Sequence, residues 1–169
     1  MNQLRIPSVL AAMFSLAMLN TPALGDTKLE GFQEVPGVVT GGTGLFEMTI
    51  APSDASFDFE LSYEGIEGGS VTQAHIHVAQ RNVNGGIVVF LCTNLAPPPG
   101  VPLPPPCPTP SGTVTGTRTA ADVLAVTSQG VSAGELSAVL TAIRKGEAYA
   151  NVHSTVSPGG EIRGQIKIK

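Results

Sequence analysis

Two neighbouring stretches of the chain alternate between apolar and polar residues, which is the pattern of β-strands that bury one face. The clearest alternation runs through residues 56–63, and a similar run covers residues 44–50. Between them lie the turn-forming residues Pro52, Ser53 and Asp54. The two runs predict a β-hairpin, and the apolar side of its second strand is formed by Phe57, Phe59, Leu61 and Tyr63.

Further strands follow the same pattern. Residues 71–78 form a third run, and residues 86–91 form a fourth that is apolar on both faces. A strand with two apolar faces is typical of the middle of a sheet, so we expect residues 86–91 to be central. Near the end, residues 148–153 and 162–168 alternate around turn residues at 157–160. These last runs predict a closing hairpin.

A helical pattern enters late in the chain. Ser132 and Glu135 have the spacing of a capping box, and the apolar residues after them recur at helical intervals before Gly146. These apolar residues are Leu136, Val139, Leu140 and Ile143. We predict one helix at about 132–145 and a shorter helical turn near Thr119. Many short strands with one helix indicate an all-β fold, an antiparallel β-sandwich or flattened barrel.

Residues 1–25 have the organisation of a secretory signal peptide. Arg5 precedes an 11-residue, mainly apolar run from Val9 to Leu19, and small residues precede a cleavage point after Gly25. A membrane span needs about 20 apolar residues, which favours a leader over the alternative, an uncleaved anchor. We therefore predict a signal peptide at residues 1–25 and one secreted or periplasmic domain at residues 26–169.

The predicted mature chain is poor in charge and acidic overall. The full chain is 13% charged, with nine Lys or Arg and 13 Asp or Glu, and loss of Arg5 takes the net charge from −4 to −5. The basic residues are scattered, so counterion release would drive nucleic-acid binding only weakly. No further apolar run approaches the length of a membrane span. We therefore expect neither a nucleic-acid partner nor a span in the mature chain.

Both cysteines, Cys92 and Cys107, lie beyond the predicted leader. In an oxidising compartment such a pair persists as a disulfide, which we predict here. The segment between them is rich in proline. Because a stiff loop has less entropy to lose, closing it stabilises the fold less than closing a flexible one. Two reduced thiols are the alternative.

Each of the three histidines occupies a position that alternation places on the outer face of a strand. His75 and His77 are two residues apart, so both imidazoles project from one side while Ile76 points into the core. His153 shares the outer side of its strand with Asn151. If these strands are close, three neutral imidazoles converge into a donor set suited to copper or zinc, with an open fourth position. The alternative is three structural histidines without a metal.

Arg163 is a candidate catalytic residue beside such a metal. A turn centred near Pro158 would set it opposite His153, on the same face of the closing hairpin. Its charge could then attract a small anion to the open coordination position. The alternative is a surface ion pair with Glu161 or another carboxylate. The H-E-x-x-H and C-x-x-C motifs of other metal and redox enzymes do not occur.

Several of these segments together resemble the CHRD domain, which is named after chordin. The similar residues and segments are Phe32–Pro36, Gly44, Ala74–His77, Gly86–Cys92, Tyr149–His153 and Gly160–Ile166. They follow the family's order over nearly the whole predicted mature chain. The resemblance implies a secreted or periplasmic domain, which in chordin is a module of an extracellular growth-factor antagonist.

The His-x-His strand and the later histidine strand are also similar to the copper half of Cu,Zn superoxide dismutase. This resemblance implies a Greek-key arrangement of strands. Because the chain has no fourth histidine, the bridged two-metal centre of that enzyme is excluded. We therefore expect an exported protein that binds one copper ion, or zinc, through His75, His77 and His153, as a carrier, a buffer or a dismutase-like enzyme. The alternative is an extracellular adhesion or protein-interaction module without a metal.

Overall fold

The computed structural model describes residues 23–96 and 99–168, and within these the chain folds into eight β-strands and one α-helix. The strands are β1 (Ala23–Glu30), β2 (Thr43–Ile50), β3 (Ser56–Glu64), β4 (Val71–Val78), β5 (Gly86–Thr93), β6 (Gly112–Thr119), β7 (Ala148–Ser154) and β8 (Ile162–Gln165), and the helix is α1 (Leu136–Arg144). Of the predicted signal peptide, residues 1–22 lie outside the described residues, and Ala23 to Gly25 begin β1.

The strands form one antiparallel sheet in the order β5-β4-β7-β8-β1-β2-β3-β6. The sheet curves until its edge strands, β5 and β6, approach each other, which produces a nearly closed barrel. Strands β3 to β6 are consecutive in the chain but lie around the barrel in the order β3-β6-β5-β4, which is a Greek key. The predicted all-β fold with one late helix is therefore confirmed.

The predicted first hairpin is formed by β2 and β3, which pair along their whole length. The alternation places Phe57, Phe59, Leu61 and Tyr63 inside the barrel, where each is less than 5% exposed. Phe46 of β2 stacks on Phe59 with ring centroids 6.3 Å apart. Each such side chain contributes about 1.5–3 kcal/mol through its burial. This apolar layer makes the barrel interior a packed core.

Arg118 closes the gap between the two edge strands. From β6, its Nε and Nη2 atoms donate hydrogen bonds to the carbonyl oxygens of Phe90 and Leu91 on β5, each at 2.9 Å. The guanidinium carbon also lies 4.9 Å from the centroid of the Phe59 ring. A buried cation is costly unless its donors are used, and here carbonyls of an edge strand use them. At this gap between β5 and β6, which we call the seam, side-chain hydrogen bonds therefore replace the backbone hydrogen bonds of a regular strand pair.

β5 lies at an edge of the sheet, so the prediction that it is central is wrong. Both of its faces are apolar because one faces the core and the other packs Phe90 against His75, with ring centroids 4.4 Å apart. The outer edge of β5 is covered by a segment that lies outside the named strands. In that segment Leu124 N–H donates to the carbonyl of Val88 at 2.9 Å. The sequence therefore indicated that both faces of β5 are buried, but it did not indicate which strands lie beside it.

The helix is shorter than predicted at its start. α1 begins at Leu136, because Gly134 has a left-handed backbone, with φ of 79°, that interrupts a helix from Ser132. The Glu135 carboxylate still accepts a hydrogen bond from Ser132 N–H at 2.9 Å, as half of the predicted capping box. A 3-10 turn follows Thr119 as predicted. Among the described residues, no helix is long and apolar enough to cross a membrane.

Cys92 and Cys107 are joined by a disulfide, with Cα atoms 5.1 Å apart, as predicted. Asn94 fixes the loop that the disulfide closes. Its side chain donates to the carbonyl oxygens of Val71 and Cys107 and accepts from the Cys107 N–H, at 2.8 to 3.1 Å. The proline-rich segment is thus attached to the start of β4 by hydrogen bonds and to β5 by the covalent link.

Candidate metal centre

Alternate residues of β4, β7 and β8 carry polar side chains on the side of the sheet away from the core. On β4, Ala74 and Ile76 are fully buried in the core, and alternation turns His75 and His77 to the other side. β7 lies between β4 and β8, so polar residues from three strands become neighbours. The cross-strand pairs are His75 with Asn151, His77 with Tyr149, and Asn151 with Arg163. We call His75, His77 and His153 the histidine cluster.

The three imidazoles of the histidine cluster meet on this face. Nδ1 of His75 lies 3.2 Å from Nε2 of His153. The ring of His77 has its centroid 5.5 Å from that of His75 and 6.3 Å from that of His153. One ligand nitrogen from each ring can be chosen so that all three lie within 4.8 Å of one another. The predicted convergence of the three histidines is therefore confirmed.

Aromatic rings and loops cover the histidine cluster, so it is buried although it lies on the outer face of the sheet. The exposed fractions are 0% for His75, 6% for His77 and 5% for His153. Phe90 meets His75 edge to face. Tyr149 stacks on His77, with centroids 4.6 Å apart and planes within 2°. The cluster is consequently shielded from bulk water.

Two backbone carbonyls fix the tautomers of His77 and His153. Nδ1 of His77 donates to the carbonyl oxygen of Gly85 at 3.0 Å, and Nδ1 of His153 donates to that of Pro158 at 2.9 Å. A carbonyl oxygen only accepts, so each neutral ring carries its proton on Nδ1 and its lone pair on Nε2. Metal-binding histidines commonly have one nitrogen held in this way.

Burial keeps the imidazoles neutral. It lowers the pKa of His75 to about 2 and that of His77 to about 4, and it also lowers the pKa of His153. The mutual repulsion of charged rings lowers the pKa of His75 further. Metals bind neutral imidazole, so the cluster is in its ligand form at neutral pH.

A family model described as the CHRD domain matches residues 26–166. The chain belongs to the CHRD domain family. No curated protein and no solved structure gives a significant match. The region that matches the CHRD domain contains the whole histidine cluster and, apart from the first three residues of β1, all the described strands.

The cluster of this CHRD domain fits a small transition ion after a modest adjustment. Two nitrogens bound tetrahedrally at about 2.0 Å lie about 3.3 Å apart, and the His75–His153 pair is at 3.2 Å. The widest nitrogen separation of 4.8 Å exceeds this spacing by about 1.5 Å, so the third imidazole must move inward to complete the site. Nε2 of His75 is buried without a hydrogen-bond partner. This is uncommon for a buried polar atom, and it means that a protein partner holds the His75 ring only at Nδ1, the nitrogen beside His153.

Arg163 shares the face of the cluster but is not opposite His153, so the predicted register is wrong. It pairs with Asn151, because the turn between β7 and β8 is centred on Ser157 rather than near Pro158. A shift of the turn centre by one residue moves every cross-strand partner by two. The prediction therefore places Arg163 on the correct face of the hairpin but opposite the wrong residue.

The guanidinium of Arg163 is buried against Tyr149. Its central carbon lies 3.4 Å from the centroid of the Tyr149 ring, and its Nη2 donates to the carbonyl of Val83 at 2.9 Å. Because Tyr149 stacks on His77, the ring separates the cation from the histidine cluster. Glu161 is not the partner of Arg163, since its carboxylate accepts from Thr40 Oγ1 at 2.8 Å. The catalytic role of Arg163 stays a prediction.

Two polar residues that were not predicted as site residues, Asn151 and Glu34, also belong to this site. Asn151 has its Oδ1 3.1 Å from Nε2 of His77, and its Nδ2 donates to Oε1 of Glu34 at 3.4 Å. Asn151 has the same alternation parity as His153, a signal that could have identified it. Glu34 lies 117 positions away from Asn151 in the chain, and no local pattern indicates their contact.

Residues 130–134 also have the spacing G-x-S-x-G of a nucleophilic serine. Ser132 lies in the turn before α1, where its N–H donates to the Glu135 carboxylate. All three histidines of the chain belong to the cluster on β4 and β7. Ser132 therefore has no imidazole base available, and we assign it no catalytic role.

Proposed function

We propose that this CHRD domain is exported and binds a single copper ion through His75, His77 and His153. The observation that carries the proposal is the convergence of three buried, neutral imidazoles. The Nδ1 hydrogens of His77 and His153 are taken up by backbone carbonyls, which leaves Nε2 of each ring with a lone pair for the ion. Purely structural histidines would be expected to use both nitrogens, whereas Nε2 of His75 has no partner.

The ligand set favours copper or zinc over magnesium and calcium. The ligands are imidazole nitrogens alone, whereas magnesium and calcium prefer oxygen. Copper binds such sites more tightly than zinc in the general affinity order of divalent metals, so we propose copper, with zinc as its competitor. Copper, when bound, supplies one-electron redox chemistry. The protein holds the ion with the imidazoles and excludes water with Phe90 and Tyr149.

Burial of the ligands supports a carrier or buffer rather than an enzyme. None of the three histidines is more than 6% exposed, and Arg163 already donates to Val83 and Asn84. In the dismutase-like alternative, the charge of Arg163 attracts superoxide to the site. That alternative predicts dismutation faster than by the same amount of free copper. A carrier predicts tight binding of Cu(I) without turnover.

Metal analysis of the purified domain tests the copper site. After loading with copper and desalting, we expect one copper per wild-type chain and far less in His75→Ala. Thr115→Ala is the control, because Thr115 is an exposed residue of β6 outside the cluster; it should retain copper. Equal copper in wild type and His75→Ala would refute the site. The protein-interaction module without a metal would then be the better proposal.

Export is supported by two further observations. The family match begins at Asp26, directly after the predicted cleavage point following Gly25. The disulfide between Cys92 and Cys107 is of a kind that persists in oxidising compartments. We therefore propose residues 1–25 as the signal peptide and residues 26–169 as the mature, secreted or periplasmic domain.

A further inference from the structure

Three contacts hold the ring of the proposed ligand His77, and a bound ion affects them differently. Oδ1 of Asn151 lies 3.1 Å from Nε2, the nitrogen proposed for the metal, so an ion would replace this contact. The hydrogen bond from Nδ1 to the carbonyl oxygen of Gly85 and the stack on Tyr149 do not involve Nε2. These two contacts can therefore orient the imidazole both before and after an ion binds.

Gly85 ends the loop between β4 and β5, residues 79–85, which we call the β4–β5 loop. Its backbone meets both of the stacked rings. The Gly85 carbonyl accepts from Nδ1 of His77 at 3.0 Å, and the Gly85 N–H donates to the hydroxyl of Tyr149 at 3.4 Å. A Cβ atom at Gly85 would collide with the carbonyl oxygen of Val78, so this close approach requires glycine. The orientation of His77 consequently depends on where the β4–β5 loop lies.

Arg163 of β8 fixes the position of the β4–β5 loop. Its Nη2 donates to the carbonyl oxygens of Val83 at 2.9 Å and of Gln80 at 3.4 Å, and its Nη1 donates to Oδ1 of Asn84 at 3.2 Å. All three acceptors belong to the loop. Residues 80–84 are exposed, whereas Arg163 is only 1% exposed. A buried side chain of the sheet thus holds an exposed loop by several hydrogen bonds.

The same guanidinium also supports the ring on which His77 stacks. β7 lies between β4 and β8, so Tyr149 of β7 has His77 on one side and Arg163 on the other. The guanidinium carbon lies 3.4 Å from the centroid of the Tyr149 ring, within the range of a cation–π contact. Arg163 therefore contacts both supports of His77, Tyr149 directly and Gly85 through the β4–β5 loop.

We infer that Arg163 is a positioning residue of the proposed metal site, because it holds the β4–β5 loop and Tyr149 where they direct Nε2 of His77 toward the ion. The inference rests on the proposed function, since it concerns the same site. The role suits an arginine. Its planar group has five donors in a fixed fork, so it can serve three acceptors of one loop while it stacks on a ring. The ammonium group of a lysine cannot do both.

Copper affinity, measured by chelator competition, tests the inference in three variants. Loss of an outer partner of a ligand commonly weakens metal binding by about 10–100-fold, and we expect about tenfold for Arg163→Met because it acts through the loop and the ring. Arg163→Lys should be nearly as weak, since it keeps the charge without the fork. Arg81→Met is the matched control, because Arg81 is an exposed arginine of the same loop; it should bind copper like the wild type. Wild-type affinity in Arg163→Lys beside a loss in Arg163→Met would overturn the inference, because charge alone would then decide.

Nitrogen NMR of the metal-free protein separates positioning from a general effect on stability. In the wild type, Nδ1 of His77 should carry a proton that its bond to Gly85 protects from exchange with water. This proton should exchange faster in Arg163→Met and Arg163→Lys, and at the wild-type rate in Arg81→Met. The backbone N–H of Leu61, in the core strand β3, reports opening of the whole fold. Equal acceleration at His77 and Leu61 would show that Arg163 supports only the fold, and would overturn the inference.

Two milder variants test the same links should the Arg163 variants fail to fold. Asn84→Ala removes one loop acceptor of Arg163, and Tyr149→Phe removes the hydroxyl that accepts from Gly85 while it keeps the ring. The Nδ1 proton of His77 should exchange faster in both. Unchanged exchange in both would overturn the inference.

The NMR measurement needs no copper, so it also separates this inference from the copper proposal. If the wild type binds no copper but Arg163→Met releases the His77 proton, the proposed function fails and the positioning role remains. If the wild type binds copper and Arg163→Met changes neither affinity nor exchange, the copper site stands and the positioning role is wrong. A wild-type His77 without a proton on Nδ1 would also refute the positioning role.

Discussion

Nδ1 of His75 lies 3.2 Å from Nε2 of His153, although the two residues are 78 positions apart in the chain. The pairing of β4 with β7 brings them together. An ion bound between them would link these two neighbouring strands directly. Several consequences of this arrangement can be measured.

Copper should stabilise the folded domain only when both strands supply ligands. At a free metal concentration 100 times the dissociation constant, a single site adds about 2.7 kcal/mol to the free energy of unfolding. We expect a stabilisation of this order in the wild type and little in His153→Ala. Urea unfolding with and without copper measures it, and Thr115→Ala provides the control. Equal stabilisation of His153→Ala would place the copper elsewhere.

The metal-free domain should lose stability as the pH falls below about 6.5. In the unfolded chain the histidines take up protons near that pH, whereas burial lowers the pKa of His77 to about 4 and that of His75 to about 2 in the folded chain. The stabilising effect is complete above 6.5 and is lost progressively toward acid. Each histidine contributes at most about 1.4 kcal/mol per pH unit within this window.

Urea midpoints at pH 7, 6 and 5 measure this dependence, and the variant His75→Asn should show a shallower slope than the wild type. The raised pKa of Glu34 acts in the opposite direction, since its folded form binds a proton more readily than its unfolded form. The difference between wild type and His75→Asn removes that contribution. Parallel curves would show that His75 takes up its proton equally readily in the folded and the unfolded chain.

Arg118→Met should weaken the seam of the barrel. The change leaves the carbonyl oxygens of Phe90 and Leu91 without their donors, and each unsatisfied buried group costs about 1–3 kcal/mol. We expect a lower unfolding midpoint. Arg144→Met is the control, because Arg144 pairs with Asp54 at the exposed surface and contributes far less. A similar effect of the two substitutions would show that Arg118 is not needed at the seam.

The exported protein should begin at Asp26. Cleavage after Gly25 removes three residues of β1 and keeps the five register pairs from Asp26 to Glu30 with β2. The remaining strand still anchors Leu29 in the core. The intact mass of the protein recovered from the medium or the periplasm measures the cleavage point. A mass that includes residues 1–25 would support an uncleaved anchor.

Local patterns in the sequence predicted the parts of the fold that depend on alternation. Phe57 and Tyr63 share a face because strands have a period of two, and for the same reason His75 and His77 do. The position of β5 at the edge depends on coverage by Leu124 and bonds from Arg118, which alternation does not report. Strand neighbours are set by long-range packing, so periodicity alone could not order the strands.

The candidate site was predictable to the same extent. Parity placed His153 and Arg163 on one face, and both are there. The partner of Arg163 depended on where the turn is centred, which the residues at 157–160 did not determine by themselves. No local pattern could have predicted Glu34, because its contact with Asn151 packs the segment after β1 against strand β7, 117 positions away in the chain.

The seam between β5 and β6 also bears on how separate molecules behave toward one another. Along the outer edge of β5, Gly86 N–H donates to Gln129, the Val88 carbonyl accepts from Leu124, and Thr93 N–H donates to Pro105. Arg118 occupies two further carbonyls of the same strand. An open strand edge is a template for intermolecular pairing and aggregation. Because groups of the same chain already bond to this edge, β5 is protected from pairing with a second copy of the protein.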